Sequence, residues 1–304
     1  MSRLTPWTAF VLTMPPLMWA GNAVVGRLAV DMVPPITLNA LRWVLAFLIL
    51  LPLGWRALRS PQTLLRRAGY LNLVGLLGIG VYNALQYLAL HTTTPINVTL
   101  IASSMPVWML LVGAVVYRER PQPRQYLGAA LSLAGVLLVI ARGDPATLAS
   151  VDFVIGDLLV LIAIFSWAFY SWLLARPPAH MRGDARPDWN WAEFLLVQIA
   201  FGLLWSGVST GVEWAIADPE PIRWTPSVLA VLAYVAIGPS LVAFRCWGAG
   251  VAAVGPATAS FFNNLTPVFA ATLSALLLGE APRLYHGLAF VFIVAGIVVS
   301  SRRG

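Results

Sequence analysis

The chain has one cysteine, no lysine, twelve carboxylates and few charges of any kind. A single cysteine, Cys246, excludes an internal disulfide framework and a thiol pair for redox work. Charged residues make up 10% of the 304 positions, against about 25% in ordinary globular domains, too few to coat a water-facing surface of this size. No HExxH, CxxC, Walker A or carboxylate cluster occurs, so metal-dependent, nucleotide-driven and cofactor-bearing readings have no residues to rest on. The three histidines, His91, His180 and His286, fall at the ends of apolar runs or in a loop. The stretch Gly207–Gly211 matches G-x-S-x-G, but that elbow needs a strand–turn–helix setting and a histidine within reach. It ends an apolar run, and the match is read as coincidence. A channel would want a ring of charges or a repeated carbonyl filter, and neither is visible.

What is there is apolar. Hydrophobic residues make up 59% of the chain and the mean hydropathy is +0.80. Crossing about 30 Å of hydrocarbon takes about 20 apolar residues. Ten such runs are read, at 7–29, 36–55, 69–90, 95–117, 124–141, 156–175, 191–213, 227–249, 256–278 and 284–301. Each is expected to be helical, because backbone polar groups in lipid have no other partners and barrel-like alternation is absent. The chain reads as an all-α polytopic membrane protein. The first run follows Arg3 but is too long for a signal-peptide core and ends without a small-x-small cleavage site, so it is expected to remain.

The net charge of +7 is no nucleic-acid signal; its placement is a topology signal. Arg3, Arg56, Arg59, Arg66, Arg67, Arg118, Arg120, Arg124, Arg176, Arg182, Arg186, Arg302 and Arg303 fall between spans on one side. The other side receives only Arg142, Arg223 and Arg283, together with Asp31, Asp144, Asp152, Glu213, Asp218 and Glu220. Positive-inside bias puts the arginine-rich side, and both termini, in the cytoplasm. Trp7, Trp43, Trp55, Trp189, Trp191, Trp214 and Trp224 are read as an interfacial belt.

The sequence also repeats itself. Pro95, Pro106-Val107, Glu119, Pro121 and Ala134-Gly135 are answered, 161 residues later and without a gap, by Pro256, Pro267-Val268, Glu280, Pro282 and Ala295-Gly296. Ten spans divide into five and five, and a unit with an odd number of crossings enters the membrane the opposite way the second time. The expected organisation is a first five-helix repeat (1–142), a polar linker (143–155) and a second, inverted repeat (156–304). Inverted repeats put substrate near the midplane at their interface and exchange roles during alternating access.

Two units, each ending in Pro-Val, about a dozen apolar residues, Glu-x-Pro and a helix with Ala-Gly near its end, resemble the EamA-type members of the drug/metabolite transporter superfamily. Within it the chain is most similar to the YddG-type amino-acid exporters of bacterial inner membranes. The resemblance covers essentially the whole chain. It implies ten helices in a basket, a central cavity lined chiefly by spans 1, 3, 4, 6, 8 and 9, and export of amino acids or related metabolites from the cytoplasm across the inner membrane. Multidrug or other metabolite efflux is the alternative within the superfamily.

Polar side chains at lipid depth usually face a bundle interior. In span 1, Pro15, Trp19 and Asn22 share a helical face; span 3 offers Tyr82, Asn83 and Gln86; span 4 offers Ser103; span 6 offers Trp167 and Tyr170; span 9 offers Asn263 and Asn264. These faces join aromatic rings to amides and hydroxyls and carry no acid, which suits a neutral or zwitterionic solute with an apolar side chain. The same small and hydrogen-bonding residues also serve as helix–helix glue. Arg245, near one end of span 8, and Arg42, inside span 2, are candidates to pair with a substrate carboxylate, and Arg42 has Asp31 or a backbone carbonyl as alternative partners. Pro15, Pro106, Pro239 and Pro267 interrupt spans and are candidate hinges. Every Asp and Glu lies at a span end or in a loop, which points to uniport or exchange rather than proton coupling. The expected partners are a small-molecule substrate and the bilayer, and one chain suffices.

Overall fold

A computed structural model describes residues 4–29, 32–89, 92–144, 146–149, 152, 154–217, 219–278 and 283–301. Arg3, Asp31, His91, Asp218, Glu280, Pro282, Arg302 and Arg303, all used above, lie outside the described residues. In chain order the α-helices are α1 (Pro6–Ala29), α2 (Pro35–Gly54), α3 (Pro61–Leu65), α4 (Ala68–Gly75), α5 (Tyr82–Ala89), α6 (Pro95–Ser103), α7 (Met105–Val115), α8 (Pro123–Ile140), α9 (Ala146–Ala149), α10 (Ile155–Ala175), α11 (Trp191–Ala217), α12 (Pro226–Val235), α13 (Ala243–Val254), α14 (Pro256–Ser260), α15 (Thr266–Leu278) and α16 (Leu284–Ser301). No strand occurs among the described residues. Proline opens α1, α2, α3, α6, α8, α12 and α14. At that position its missing N–H costs nothing and its fixed φ already suits a helix.

Among the described residues, seven helices are long and apolar enough to cross a membrane, or eight when α6 and α7, bent by 41° at their junction, count as one. Two further runs read as spans are helical as well. α1 is 24 residues long, with Pro15 and Pro16 inside it. The run 256–278 is divided into α14, a 3₁₀ stretch (Phe261–Leu265) and α15.

Two stretches depart from α geometry at corresponding places. α4 passes into α5 through a π-helical segment, Leu76–Val81, and α12 passes into α13 through another, Ala236–Val242. The first is glycine-rich, with Gly75, Gly78 and Gly80. The second holds Pro239, which cannot donate to the carbonyl of Val235 four residues back. The Ser240 hydroxyl donates to that carbonyl instead, at 2.8 Å. The break between α6 and α7 likewise corresponds to the 3₁₀ stretch between α14 and α15.

Packing interleaves the two halves. α1 lies against α13, α15 and the π segment 236–242, while α10 lies against α5, α7 and the π segment 76–81. α2 and α11 run antiparallel: the start of α2 meets Glu213 late in α11, and Gly54 at the end of α2 meets Ala192 and Leu196 early in α11. α8 and α16 also cross antiparallel, with Gly128 against Gly296 and Gly135 against Ala289 and Ile293. Glycine at the crossing lets two backbones approach where hydrophobic exclusion offers no drive between helices.

The arginine-bearing loops meet at one end of the bundle. Arg67 donates to the Ala185 carbonyl at 2.7 Å, and Arg176 at the end of α10 pairs with Glu119 after α7. The acids read as helix-end residues cap helices. Glu193 and Asn190 close a reciprocal cap on α11, with the Asn190 N–H donating to the Glu193 carboxylate at 2.8 Å and the Glu193 N–H to the Asn190 side chain at 3.0 Å. Glu213 accepts from Ile36 N, Thr37 N and the Thr37 hydroxyl at the start of α2. Trp7, Trp55, Trp191, Trp214 and Trp224 are exposed, as a belt requires. Trp43 corrects that reading: it is fully buried against Phe244, because residues 39, 42, 43, 46 and 50 form the inward face of α2.

Candidate functional site

The interior where the halves meet is aromatic. Trp167 on α10 is fully buried and touches five rings: Trp19 of α1 (centroids 5.3 Å apart), Tyr82 of α5 (4.8 Å), Tyr170 (5.0 Å), and Phe244 and Trp247 of α13 (5.3 and 5.5 Å). Each such contact contributes about 0.5–1.5 kcal/mol beyond area burial. Trp43 joins the cluster through Phe244, at 4.9 Å.

The two π segments hold this cluster in place. The Trp19 indole N–H donates to the Pro239 carbonyl at 3.2 Å. On the other side, the Ser166 hydroxyl of α10 donates to the Leu77 carbonyl at 2.7 Å. The first helix of each half thus donates to a carbonyl in the other half's π segment. Arg42, buried on α2, donates through Nε to the Ser240 hydroxyl at 3.0 Å, so the group recruited by the Pro239 defect also seats a cation. Ser171 does similar duty on α10: it accepts from the Trp247 indole at 3.1 Å and donates to the Trp167 carbonyl at 2.8 Å.

Several buried polar atoms here have no protein partner. They are the indole nitrogens of Trp43 and Trp167 and both amide atoms of Asn39, three side chains at 0% exposure. Leaving such groups unsatisfied costs about 1–3 kcal/mol each, a load typical of sites that hold a polar ligand or water. Asn39, Arg42 and Trp43 lie at i, i+3 and i+4 on α2, one face of one helix.

The structure brings Trp19, Tyr82, Trp167 and Tyr170 together. Gln86 joins them through a side-chain hydrogen bond with Tyr82. Tyr170 donates to Gln198 of α11 at 3.0 Å, and its ring packs on Gly78, where a Cβ would lie 2.7 Å from it. Asn22 is half-buried on α1 and Asn83 is buried on α5. Asn264 lies on the 3₁₀ stretch and donates to Ser132 of α8 at 2.8 Å; its carbonyl oxygen and that of Asn263 are buried without partners. Ser103 turns its hydroxyl onto the Leu100 carbonyl of its own helix, at 2.6 Å. Arg245 stands apart: it is exposed, with its guanidinium 5.0 Å from the Trp191 ring centroid. Pro15, Pro106 and Pro239 are buried and Pro267 half-buried. α1 runs through Pro15 unbroken, whereas Pro106 and Pro267 sit just after breaks. Ser209 of the G-x-S-x-G match lies mid-helix in α11, donating to the Trp205 carbonyl at 3.0 Å.

Sequence reasoning missed Asn39, Phe244, Trp247 and Ser240. Asn39 and Ser240 are polar residues within apolar runs, so a signal existed; the partner helix was what the sequence did not supply. A cavity of about 1170 Å³ lies away from the cluster, between the start of α2, α5, the second half of α11 and the start of α12.

An all-helical, apolar bundle with buried polar groups at the interface of two interleaved halves is a membrane transporter in kind. The model of the EamA-like transporter family matches the chain twice, over residues 6–141 and 154–302, and the chain belongs to that family. It is 25% identical over 298 residues to an uncharacterized transporter of Archaeoglobus fulgidus, covering 97% of this chain and 98% of that one. It is 26% identical to the uncharacterized inner membrane transporter YedA of Escherichia coli, over 93% of this chain and 87% of the relative. A probable amino-acid metabolite efflux pump of Salmonella typhimurium is 26% identical over 99% of this chain and 95% of its own. A solved crystal structure at 22% identity has the same fold, with a TM-score of 0.72 over 97% of this chain and 96% of the other.

Proposed function

We propose that the protein exports small neutral or zwitterionic metabolites, foremost amino acids with aromatic or apolar side chains, across the bacterial inner membrane. In this reading ten helices form two inverted five-helix repeats, 1–142 and 156–304, with both termini cytoplasmic, and one chain contains the whole pathway. The observation that carries it is the meeting of Trp19 from one half with Trp167 and Trp247 from the other, beside buried polar groups without protein partners. Aromatic faces accept an apolar side chain, and indole N–H groups, the Asn39 amide and the Arg42 cation offer hydrogen bonds and charge to a carboxylate.

The twofold match to the family model and the self-complementary crossing of α8 and α16 support the inverted repeat. The printed name of the Salmonella relative supports amino-acid metabolites as cargo. The π segments and the breaks beside Pro106 and Pro267 are where the bundle would flex between its two openings, with Pro15 bending α1 and Pro239 fixing the second π turn.

Purified protein in proteoliposomes, loaded with one solute and offered another, tests the reading across the twenty amino acids and a few cationic drugs. Counterflow with aromatic and branched amino acids is the expected result. Exchange of drugs alone would move the protein to multidrug efflux, and ohmic flux without trans-stimulation would make it a channel.

A further inference from the structure

A second cavity, about 520 Å³, lies at the arginine-bearing end of the bundle, away from the aromatic cluster. Two chain segments build it: Arg56, Ser60, Gln62, Thr63, Arg66 and Arg67 on one side, and residues 184–189 with Glu193 on the other. Four arginines line it, Arg56, Arg66, Arg67 and Arg186. Its walls are set in advance. Arg67 donates to the Thr63 carbonyl at 3.3 Å and to the Ala185 carbonyl at 2.7 Å, which ties the two segments together. Arg186 lies 5.8 Å from the ring centroid of Phe194, which stacks on Tyr70.

Three carboxylates share this cavity, which leaves one positive charge in excess. Glu193 is buried and accepts from the Asn190 N–H at the start of α11. Asp184 and Asp188 are exposed. Among the described residues the ion pair within 4.0 Å is Arg176 with Glu119, outside this cavity. Four arginines around one cavity, none within 4.0 Å of a carboxylate among the described residues, supply the kind of donor that binds a phosphate bidentately.

We propose that this pocket binds a phosphate group, carried either by the headgroup of an anionic phospholipid or by a soluble phosphoester. Exposed Trp55 and Trp191 near the same end mark the level of the headgroups, so a lipid can reach it from the side and a solute from the aqueous phase.

The test uses the full-length protein in detergent, with native mass spectrometry and thermal unfolding as readouts. The probes are phosphatidylglycerol, phosphatidylcholine and glycerol phosphate. The test variant is Arg66→Gln with Arg186→Gln, which leaves the bonds of Arg67 intact. Arg120→Gln with Arg124→Gln removes the same charge from the same end outside the pocket. Wild type is expected to retain phosphatidylglycerol over phosphatidylcholine, or to be stabilised by glycerol phosphate, and the test variant to lose that binding about tenfold or more. Retention of the lipid identifies a headgroup source; stabilisation by glycerol phosphate alone identifies a soluble one. An equal loss in the control variant, or no loss in the test variant while its unfolding profile stays cooperative, overturns the proposal. So does equal retention of both lipids without any response to glycerol phosphate.

Discussion

Gly128 and Gly296 touch through their backbones: a Cβ on Gly128 would lie 2.7 Å from the Gly296 carbonyl oxygen, and one on Gly296 would lie 2.6 Å from that of Gly128. The 161-residue shift carries Gly128 to Ala289 and Gly296 back to Gly135, and the Gly135 Cβ position lies 2.8 Å from the Ala289 carbonyl oxygen. The 161-residue shift thus maps one close contact onto the other.

That contact should be intolerant of side chains. Gly296→Val presses two methyl groups into the backbone of α8 and should cost about 1–3 kcal/mol of stability. Gly207→Ala, at a helix position with nothing within 4 Å, should cost none. Thermal unfolding in detergent compares the two, and equal melting temperatures would remove the crossing from the account of stability.

Ser240→Ala should be worse than its size suggests. It removes the hydroxyl bond to the Val235 carbonyl beside Pro239 and takes away the acceptor of Arg42 Nε. A loss of about 1–3 kcal/mol is expected. Ser209→Ala, on the exposed back-bond of α11, supplies the comparison and should be near neutral.

Trp167→Phe keeps an aromatic ring at the centre of the cluster and deletes an indole nitrogen that has no protein partner. Some packing stability is lost to the smaller ring, while unfolding should stay cooperative and KM for transported amino acids should rise. Asn264→Ala should instead lower stability by about 1 kcal/mol through its lost bond to Ser132. Unchanged transport by Trp167→Phe would separate the aromatic cluster from the substrate path.

Transport should not follow an imposed pH gradient. Asp157 is buried at the start of α10, but its carboxylate is occupied by Thr93, the Asn97 amide at 2.8 Å and the Val154 N–H at 2.8 Å, which is a structural cap. Asp157→Asn should therefore reduce stability and leave the response to a pH gradient as it was. Concentrative uptake abolished by a protonophore and by this substitution would make Asp157 the coupling group.

Reporter fusions after Asp144 and at the C-terminal end should read outside and inside respectively. The loops at the arginine-bearing end carry Arg56, Arg66, Arg67, Arg176 and Arg186 together, so the charge bias is spatial as well as sequential. The same side for both fusions would remove the inverted arrangement.

Helix positions were legible because lipid-length apolar runs and helix-opening prolines are local signals: Pro35, Pro95, Pro123, Pro226 and Pro256 each begin a helix within a residue of the start read for its run. The site was legible only in part. Trp19, Tyr82, Trp167 and Tyr170 stood out as aromatic and polar residues on interior faces, and they converge. Trp43 was misread because a tryptophan in the first half of a run can face either the interface or the interior, and only the packing of α2 decides which. Arg42 offered several partners; Ser240, 198 positions away, became one of them because Pro239 unsettles the helix there. The first π segment has only its glycines to announce it, and its Leu77 carbonyl is met by Ser166 from the other half. Pairings of that kind depend on a neighbour that no local pattern specifies.

The exchange of donors between Ser166 and Leu77, and between Trp19 and Pro239, has a consequence for biosynthesis. The ribosome delivers α1 through α8 to the membrane before any residue of α10 or α13 exists. During that interval the Trp19 indole lacks the Pro239 carbonyl, the Leu77 carbonyl lacks the Ser166 hydroxyl, and α2 has no α11 beside it. The first half must therefore wait as a loosely assembled set of inserted helices, and the final arrangement is fixed only when the later helices thread between the earlier ones. A ribosome pausing between the two halves would lengthen the interval in which quality-control proteases can recognise the unfinished chain.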